Sequence, residues 1–278
     1  MLDPKPPKPG QPISPFYGDA FYDQQSSGSF RSARIVLRGL FQIAPGATML
    51  DVGCGVGSWL RAALDLGVER VVGVDGDYVN RDKLMIDPRD FRPRDLERKL
   101  ELDAGDPARF DLVISLEVAE HLPAETAETF VSNLVAHGDL VLFSAAIPRQ
   151  GGANHVNEQW PDYWARIFDR AGYDCFDIIR AEIWGDDSVE WWYAQNIFVY
   201  ARRGSPSHQR VSQRGSPTAS PLALVHPKKL DEAYHWFKVD VDDAVNREQV
   251  LLGSTSWRVT KPLRAIGEFV SRLGKTSH

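Results

Sequence analysis

The segment LDVGCGVGSW, residues 50–59, joins a short apolar run to the start of a helical pattern through three glycines at alternate positions. Gly53, Gly55 and Gly57 permit tight turns with positive φ, and they let a ligand lie directly against the backbone. Their GxGxG spacing differs from the GxGxxG spacing that is typical of dinucleotide binders. The segment therefore predicts a strand, a ligand-binding turn and a helix.

Strand and helix signals alternate on both sides of this segment. Short apolar runs predict strands at 47–53, 68–75, 110–117 and 138–147, with a weaker one at 90–94, and amphipathic patterns predict helices at 59–67 and 123–137. Buried strands that are each followed by a helix form parallel sheets with right-handed crossovers. We therefore predict an α/β fold with a doubly wound, mostly parallel, Rossmann-like sheet. Residues 181–203 read as two strands around a GDD turn and predict an antiparallel edge hairpin.

The flanking sequence differs in composition from this α/β region. Residues 1–28 form a proline-rich arm, so we expect the first helix to begin near Ser29. The α/β domain is predicted to occupy 29–203. A linker and irregular segment follows at 204–250, and 251–278 form a basic amphipathic tail.

Charge and hydropathy exclude several classes of protein. The net charge is −6 and the isoelectric point is near 5.7, which argues against nucleic acid as the main partner. We find no run of about 20 apolar residues that would span a membrane, and the N-terminus lacks the apolar core of a secretory signal. A cytoplasmic location is the expectation.

Two carboxylates belong at the edge of the sheet where ligands bind in such folds. Asp51 lies at the end of the first strand, and Asp75 ends the next strand. A carboxylate at the second position accepts hydrogen bonds from a pair of ribose hydroxyls. The loop itself requires no lysine or arginine, which suits a cationic ligand rather than a phosphate.

With these features the chain resembles the class I S-adenosylmethionine-dependent methyltransferases over residues 29–202. The motifs that carry the resemblance are LDVGCGVG (50–57), VVGVDGD (71–77), RDL (94–96) and FDLVISLEVAEHL (110–122). The resemblance implies that the 50–57 segment, with Asp51 and the three glycines, holds the methionine end of S-adenosylmethionine.

The resemblance also assigns the rest of the cofactor site. Asp75 and Gly76 would hold the ribose, Asp95 would accept from the adenine amino group, and the Leu96 amide would face the ring. The stretch of Leu116 and Glu117 would pass beneath the sulfonium.

The segment EVAEHL, residues 117–122, follows a predicted strand and carries Glu117, Glu120 and His121. If it turns into a helix, these three side chains share one face. A similar segment lies under the cofactor in methyltransferases of the ubiquinone-biosynthesis type, where the histidine serves as a general base. This reading makes His121, or His155 further along the chain, the base, with Glu117 also in the catalytic set.

A second resemblance gives the same residues another role. In small-RNA 2′-O-methyltransferases a similar E-x-x-E-H segment joins a later histidine to hold magnesium against a vicinal diol. Here Glu117, Glu120, His121 and His155 would hold Mg²⁺ or Mn²⁺, since oxygen-rich coordination suits these ions. The metal site, a metal-free histidine base and purely structural hydrogen bonding all remain open.

The acceptor is predicted from weaker signals. The loop RQGGANHVNEQW (149–160) is dense in polar side chains, which suits a polyhydroxyl acceptor, although Asn157 and Glu158 could instead cap the next helix. SWRVTKPLR (256–264) resembles a C-terminal segment of bacterial surface-glycan assembly enzymes. We therefore expect an O-methyltransferase that acts on a hydroxyl of a sugar or glycan intermediate in surface polysaccharide biosynthesis.

Three alternatives stay open beside this prediction. Methylation of a small aromatic or quinone-like hydroxyl is favoured if the region from Trp184 to Tyr193 forms a flat apolar slot. The aromatic side chains there could also wall a sugar acceptor site, because aromatic faces pack against sugar C–H groups; they are Trp184, Trp191, Trp192 and Tyr193 with Tyr17, Phe21 and Tyr22. RNA ribose methylation ranks below it because of the net charge. A noncatalytic scaffold of glycan assembly is the third.

The tail permits three readings of its own. It could rest on a partner, or on a membrane surface at the inner face of the membrane, or it could pack on its own domain.

Overall fold

The computed structural model describes the backbone of residues 19–266 and the side chains of residues 27–266. The chain divides into a larger unit that ends at Lys229 and a smaller unit that begins at Leu230.

Seven strands form one sheet in the larger unit. They are β1 (Thr48–Val52), β2 (Arg70–Asp75), β3 (Phe91–Pro93), β4 (Leu112–Leu116), β5 (Leu140–Ser144), β6 (Tyr173–Phe176) and β7 (Phe198–Arg202). Their order is β3-β2-β1-β4-β5-β7-β6. The first five pair in parallel, and β7 runs antiparallel to both β5 and β6. This is the predicted doubly wound, mostly parallel sheet with an antiparallel edge.

Helices cover both faces of the sheet. The helices of the larger unit are α1 (Asp19–Ile43), α2 (Ser58–Asp65), α3 (Ala127–His137), α4 (Pro161–Arg170), α5 (Arg180–Ile183), α6 (Trp191–Asn196) and α7 (Pro206–Ser212). Two further helices lie wholly or mostly in the smaller unit, α8 (Pro227–Gly253) and α9 (Thr255–Val259). Successive residues of β1 enter different core clusters: Met49 packs with α1 and α2, and Leu50 packs with α3 and α4. Because side chains alternate along a strand, a strand buried on both faces reads as a continuous apolar run.

The first helix begins earlier than predicted. It starts at Asp19 rather than near Ser29, inside the segment predicted to be an arm. The sequence has no proline between Pro15 and Asp19 or within the helix, so no residue there removes a backbone donor. The prolines at the chain start lie outside the described residues.

The predicted hairpin at 181–203 is wrong in its first half. Residues 180–183 and 191–196 are the helices α5 and α6, and the antiparallel edge is built from β6 and β7 instead. Tyr193 and Ala194 are buried against the α1 side of the sheet in this helix. Tertiary burial thus overrides the strand preference of a run of aromatic residues.

The segment 204–250 is more regular than predicted. It contains α7, whose Val211 is fully buried, and the greater part of α8. No residue of α8 is buried. Among the described helices, none combines the length and the apolar composition that crossing a bilayer requires.

Candidate active site

The glycine loop connects β1 to α2 at the carboxyl edge of the sheet. Gly53, Gly55 and Gly57 have φ of 93°, 53° and 84°. The amides of Gly53 and Cys54 both donate to the Val74 carbonyl, at 2.7 and 3.1 Å. The left-handed turns are therefore held against the end of β2. A side chain at Gly55 would meet nothing within 4 Å, so the loop presents bare backbone to open space.

Asp75 ends β2 beside this loop and is 5% exposed. Its Oδ2 accepts from the Gly55 amide at 2.7 Å. Its Oδ1 accepts from the Gly76 amide at 2.7 Å and from the Tyr78 hydroxyl at 2.6 Å. The predicted ribose acceptor thus lies against the predicted cradle, and it already has donors on both oxygens.

Asp51 lies one strand away and is buried. Burial, with the nearby charge of Asp75 in second place, raises the pKa of Asp51 well above its usual range. Two carboxyl groups therefore meet at the loop that was predicted to hold a cation. A positively charged ligand there would offset the repulsion between them.

The predicted adenine-binding aspartate engages its own turn. Asp95 is exposed, and its carboxylate accepts from the Glu97 amide and from the Arg98 guanidinium, both at 3.0 Å. Leu96 is partly buried against the core cluster that contains α3. The role of Asp95 and Leu96 toward adenine stays a prediction.

Glu117 follows Leu116, the last residue of β4, and has a φ of 56°. Its amide donates to the carbonyl and the hydroxyl of Ser144 at 3.0 and 3.1 Å. Its carboxylate accepts from the amides of Asn196 (3.1 and 3.2 Å) and Gln150 (2.9 Å). Burial raises the pKa of Glu117, while these hydrogen bonds oppose that rise. The residue is therefore held in one orientation from two sides.

The amides that hold Glu117 belong to a larger buried network. Gln195 donates to Gln150 and to Asn196, both at 3.0 Å, and Asn196 donates to Gln150 at 2.8 Å. The His226 amide donates to Gln195 Oε1 at 2.8 Å. The loop after β5 and the end of α6 thus meet at the Glu117 carboxylate, and the segment before α8 joins the network through Gln195.

Glu120, His121 and His155 form the second half of the site. One ligand atom from each lies within 4.8 Å of the others, and the two imidazole centroids are 4.8 Å apart. Glu120 lies in a single 3₁₀ turn and is fully buried, whereas His121 is exposed, so the cluster opens to the surface. No hydrogen bond of ordinary geometry reaches either carboxylate oxygen of Glu120 among the described residues.

The electrostatics of the cluster favour neutral ligands. Burial, and then the charge of Glu117, raises the pKa of Glu120 well above its usual range. Although part of the His121 side chain is exposed, protein atoms crowd its imidazole ring. The resulting desolvation of the imidazolium lowers the pKa of His121 to about 4, and His155 adds to that shift. His121 is therefore neutral at physiological pH and offers a lone pair.

Glu158 orients His155. Its Oε1 lies 2.9 Å from His155 Nδ1, and its carboxylate also accepts from the amides of Arg149 (2.6 Å) and Gly151 (2.9 Å). The predicted capping role for this residue is not what the structure contains, because the N-cap of α4 is Trp160 and has no side-chain cap. Glu158 instead closes the loop that carries His155.

Tyr193 of α6 packs inside the domain, whereas Trp184, which follows α5, and Trp191 and Trp192 of α6 are half-buried. The Tyr193 hydroxyl lies 3.3 Å from Trp59 Nε1 and 3.1 Å from Ser29 Oγ, and the residue is 5% exposed. Trp184 packs on the His226 ring at 4.7 Å. The role of these residues as a wall of the acceptor site stays a prediction. The side chains of Tyr17, Phe21 and Tyr22 lie outside the described residues.

Four residues of the site were missed in the sequence. Tyr78 lies just beyond the VVGVDGD motif and Gln150 lies in the predicted polar loop, so position alone would have flagged both. Gln195 and Asn196 lie in a segment that reads as a strand, and their polar character in an otherwise apolar run is the available signal.

A model of the methyltransferase-domain family matches residues 28–178, which is more than half of the chain. The chain belongs to this methyltransferase family. The predicted methyltransferase class is thereby confirmed. The matched region of the methyltransferase contains the glycine loop, Asp75, the Glu120 cluster and Gln150, but it ends before Asn196.

Individual proteins are similar over parts of the methyltransferase. The ribosomal protein L11 methyltransferase of Azotobacter vinelandii is 38% identical over 111 residues, which are 38% of this chain and 32% of that protein. The match thus spans about a third of the relative's length.

Solved structures share the fold at low identity. Magnesium protoporphyrin IX methyltransferase from Synechocystis PCC 6803, with bound S-adenosylmethionine, is 21% identical with a TM-score of 0.44, over 70% of this chain and 86% of its own. An O-methyltransferase family protein from Burkholderia thailandensis is 18% identical with a TM-score of 0.49, over 68% of this chain and 60% of its own.

Proposed function

We propose that this methyltransferase transfers the methyl group of S-adenosylmethionine to a hydroxyl of a sugar or glycan intermediate in surface polysaccharide biosynthesis. The observation that carries the hydroxyl assignment is the cluster of Glu120, His121 and His155 beside Glu117, at the same sheet edge as the glycine loop. Oxygen and imidazole donors next to a methyl-donor site suit the binding and deprotonation of an alcohol.

The loop fits S-adenosylmethionine. The open backbone at Gly55 leaves room for a ligand, and the buried carboxyls of Asp51 and Asp75 complement a sulfonium and a ribose. When bound, S-adenosylmethionine supplies an electrophilic methyl group. The protein therefore has to align the acceptor oxygen, exclude water and take up one proton.

The cluster fits Mg²⁺ or Mn²⁺. Glu120 is the supporting observation, because among the described residues no hydrogen bond of ordinary geometry reaches its fully buried carboxyl group, and such a group is costly unless something else satisfies it. Such an ion would lower the pKa of a bound hydroxyl and orient it. Glu120, His121 and His155 would hold the ion. Glu117, predicted as a fourth ligand, is engaged by Asn196 and Gln150 instead.

The residues around the cluster supply orientation. Glu158 engages Nδ1 of His155, so the other ring nitrogen is the one to bind an ion or accept the proton of the acceptor. Asn196 and Gln150 fix Glu117 at the end of β4, beneath the predicted sulfonium position. His155, in the loop at 149–160, would therefore be the base that takes the proton of the acceptor hydroxyl.

The assignment of a glycan acceptor is supported by the polar loop at 149–160 and by the tail segment at 256–264. Between Arg149 and Trp160 the chain presents Asn154, His155 and Glu158 near the cluster. Hydroxyl-rich ligands need several such donors and acceptors. A panel assay of radiolabelled methyl transfer into nucleotide sugars, lipid-linked oligosaccharides, small phenols and RNA tests this directly. Label in phenols or RNA alone would overturn the glycan assignment.

Cofactor binding is tested by Asp75→Asn. Removing the charged acceptor is expected to weaken S-adenosylmethionine binding at least tenfold in calorimetry, because hydrogen bonds to charged groups contribute about 1.5–3 kcal/mol. Asp77→Asn is the matched control, since its side chain is 81% exposed and pairs with Arg81. Wild-type affinity in Asp75→Asn would refute the site. No binding by the wild type would favour the scaffold hypothesis.

The metal is tested by Glu120→Gln in thermal unfolding. After chelation, the variant is expected to melt about 2–4 °C above the wild type at neutral pH, because the raised pKa of Glu120 means that folding has to protonate or desolvate its charge, whereas glutamine carries none. Added Mn²⁺ should raise the Tm of the wild type but not of the variant. Glu125→Gln, an exposed site, serves as the control. Equal responses to Mn²⁺, with turnover that chelator does not affect, would exclude the metal.

A further inference from the structure

Tyr78 folds back over the end of β2. Its hydroxyl donates to Asp75 Oδ1 at 2.6 Å. A Cβ added to Gly76 would lie 2.1 Å from the Cε1 atom of the ring, so the ring covers the backbone of that glycine. Tyr78 is 84% exposed, which means that no core packing holds the side chain there.

The three hydrogen-bond donors to Asp75 differ in mobility, because two are backbone amides and one is a side-chain hydroxyl. The amides of Gly55 and Gly76 belong to the turns on either side of the carboxylate, so they cannot leave without remodelling those turns. The Tyr78 hydroxyl is a side-chain donor on an exposed ring, and rotation about its side-chain bonds removes it. A carboxylate has about four acceptor positions, and three are in use here.

We propose that Tyr78 competes with the ribose of S-adenosylmethionine for Asp75 and thereby sets the affinity for the cofactor and its product. The inference rests on the proposed ribose site at Asp75. A pair of ribose hydroxyls needs two acceptor positions on that carboxylate, and one is free while the Tyr78 hydroxyl stays. Binding therefore has to break the hydrogen bond between Tyr78 and Asp75, and the affinity falls by the cost of that exchange.

Tyr78→Phe tests this competition because it removes the hydroxyl and keeps the ring. Calorimetry with S-adenosylhomocysteine is expected to show binding about three- to tenfold tighter than for the wild type, the range of one ordinary hydrogen bond. Tyr234→Phe is the matched control, because Tyr234 is an exposed tyrosine of α8, outside the larger unit. It is expected to leave the affinity unchanged.

A second ligand isolates the ribose hydroxyls. The 2′,3′-dideoxy analogue of S-adenosylhomocysteine cannot donate to Asp75, so the gain from Tyr78→Phe should vanish with it. A gain of equal size for both ligands would mean that the substitution acts through the ring or the loop, and it would overturn the proposal. Unfolding curves of both variants verify that the fold is kept.

Affinity in Tyr78→Phe that is unchanged also overturns the proposal. Weaker affinity would do the same, and it would make Tyr78 a direct contact of the cofactor. The Asp75→Asn variant separates this failure from failure of the cofactor site itself. If Asp75→Asn loses binding while Tyr78→Phe is neutral, the ribose site stands and the competition does not. If both bind as the wild type, both assignments fall.

Discussion

At the scale of single residues, Gly53 shows how backbone and packing restrict one position together. Its φ is 93°, and a Cβ there would lie 2.3 Å from Val118 Cγ2. Val118 connects Glu117 to the turn that carries Glu120. This contact therefore packs the glycine loop against the segment that carries the Glu120 cluster.

Gly53→Ala should consequently damage binding as well as stability. Gly67→Ala is the matched control, since its φ is 97° and a Cβ there meets nothing within 4 Å. Backbone strain alone costs about 1–3 kcal/mol, so both variants should lose stability in urea unfolding. Gly53→Ala alone is expected to lower the free energy of unfolding by more than this strain and to weaken S-adenosylmethionine binding. Equal effects of the two substitutions would contradict a role for the Val118 contact.

At the scale of elements, Asp139 joins the parallel part of the sheet to its antiparallel edge. The residue lies just before β5, and its carboxylate accepts from Arg202 of β7 at 2.7 and 2.9 Å. It also accepts from Arg109, which precedes β4. The hydrogen bonds from Arg202 lower the pKa of Asp139 most, against the opposing effect of burial.

The lowered pKa of Asp139 predicts a pH-dependent loss of stability. An aspartate whose pKa falls on folding stabilises the protein above its unfolded value, about 3.9, and loses this contribution as the pH falls through the folded pKa. Asp139→Asn is expected to cost about 0.5–1 kcal/mol in urea unfolding at pH 7, because the arginines are half exposed.

The difference between the wild type and Asp139→Asn should shrink once Asp139 of the wild type is protonated, below about pH 4. Glu101→Gln is the control, because Glu101 and its partner Lys99 are both largely exposed. This substitution is expected to leave the free energy of unfolding unchanged. A difference that is constant from pH 7 to pH 3 would show that the charge of Asp139 is not the cause.

At the scale of the whole molecule, the candidate active site lies in the larger unit and the tail lies in the smaller unit. The glycine loop, the Glu120 cluster and the Glu117 network all precede Lys229. The smaller unit carries exposed apolar side chains, among them Val259, Leu263 and Ile266, at helical spacing near Arg258 and Lys261. A basic amphipathic surface of this kind suits an anionic membrane.

Vesicle sedimentation tests the membrane reading of the tail. The full chain is expected to sediment with anionic vesicles more than a chain that ends at Gly253, and high salt should reduce the difference. Neutral phosphatidylcholine vesicles provide the control. Equal partitioning of the two chains would remove the membrane role. The last part of the predicted tail, 267–278, lies outside the described residues.

The local sequence pattern was sufficient to predict the fold class and the half of the candidate site that contains the glycine loop and Asp75. The alternation of apolar runs and helical periods predicted the parallel sheet, and the glycine spacing placed Gly53, Gly55 and Gly57 at its edge beside Asp75. These features are legible because each depends on residues a few positions apart in the chain. The first of the strands predicted at 181–203 was misjudged because burial by distant elements overrides a weak local preference. Burial does not explain the other two differences: the first helix starts early where proline is absent, and α8 forms in the predicted linker without any buried residue.

Contacts between distant segments were settled by tertiary packing alone. Glu117 meets Asn196 across 79 positions and Gln150 across 33, and no local pattern encodes such a pairing. Whether Glu120 is solvated or buried without a hydrogen bond likewise depends on which loop covers it. The physical reason is the same in each case: desolvation and hydrogen-bond satisfaction are properties of a three-dimensional neighbourhood, whereas periodicity and turn propensity are properties of the chain.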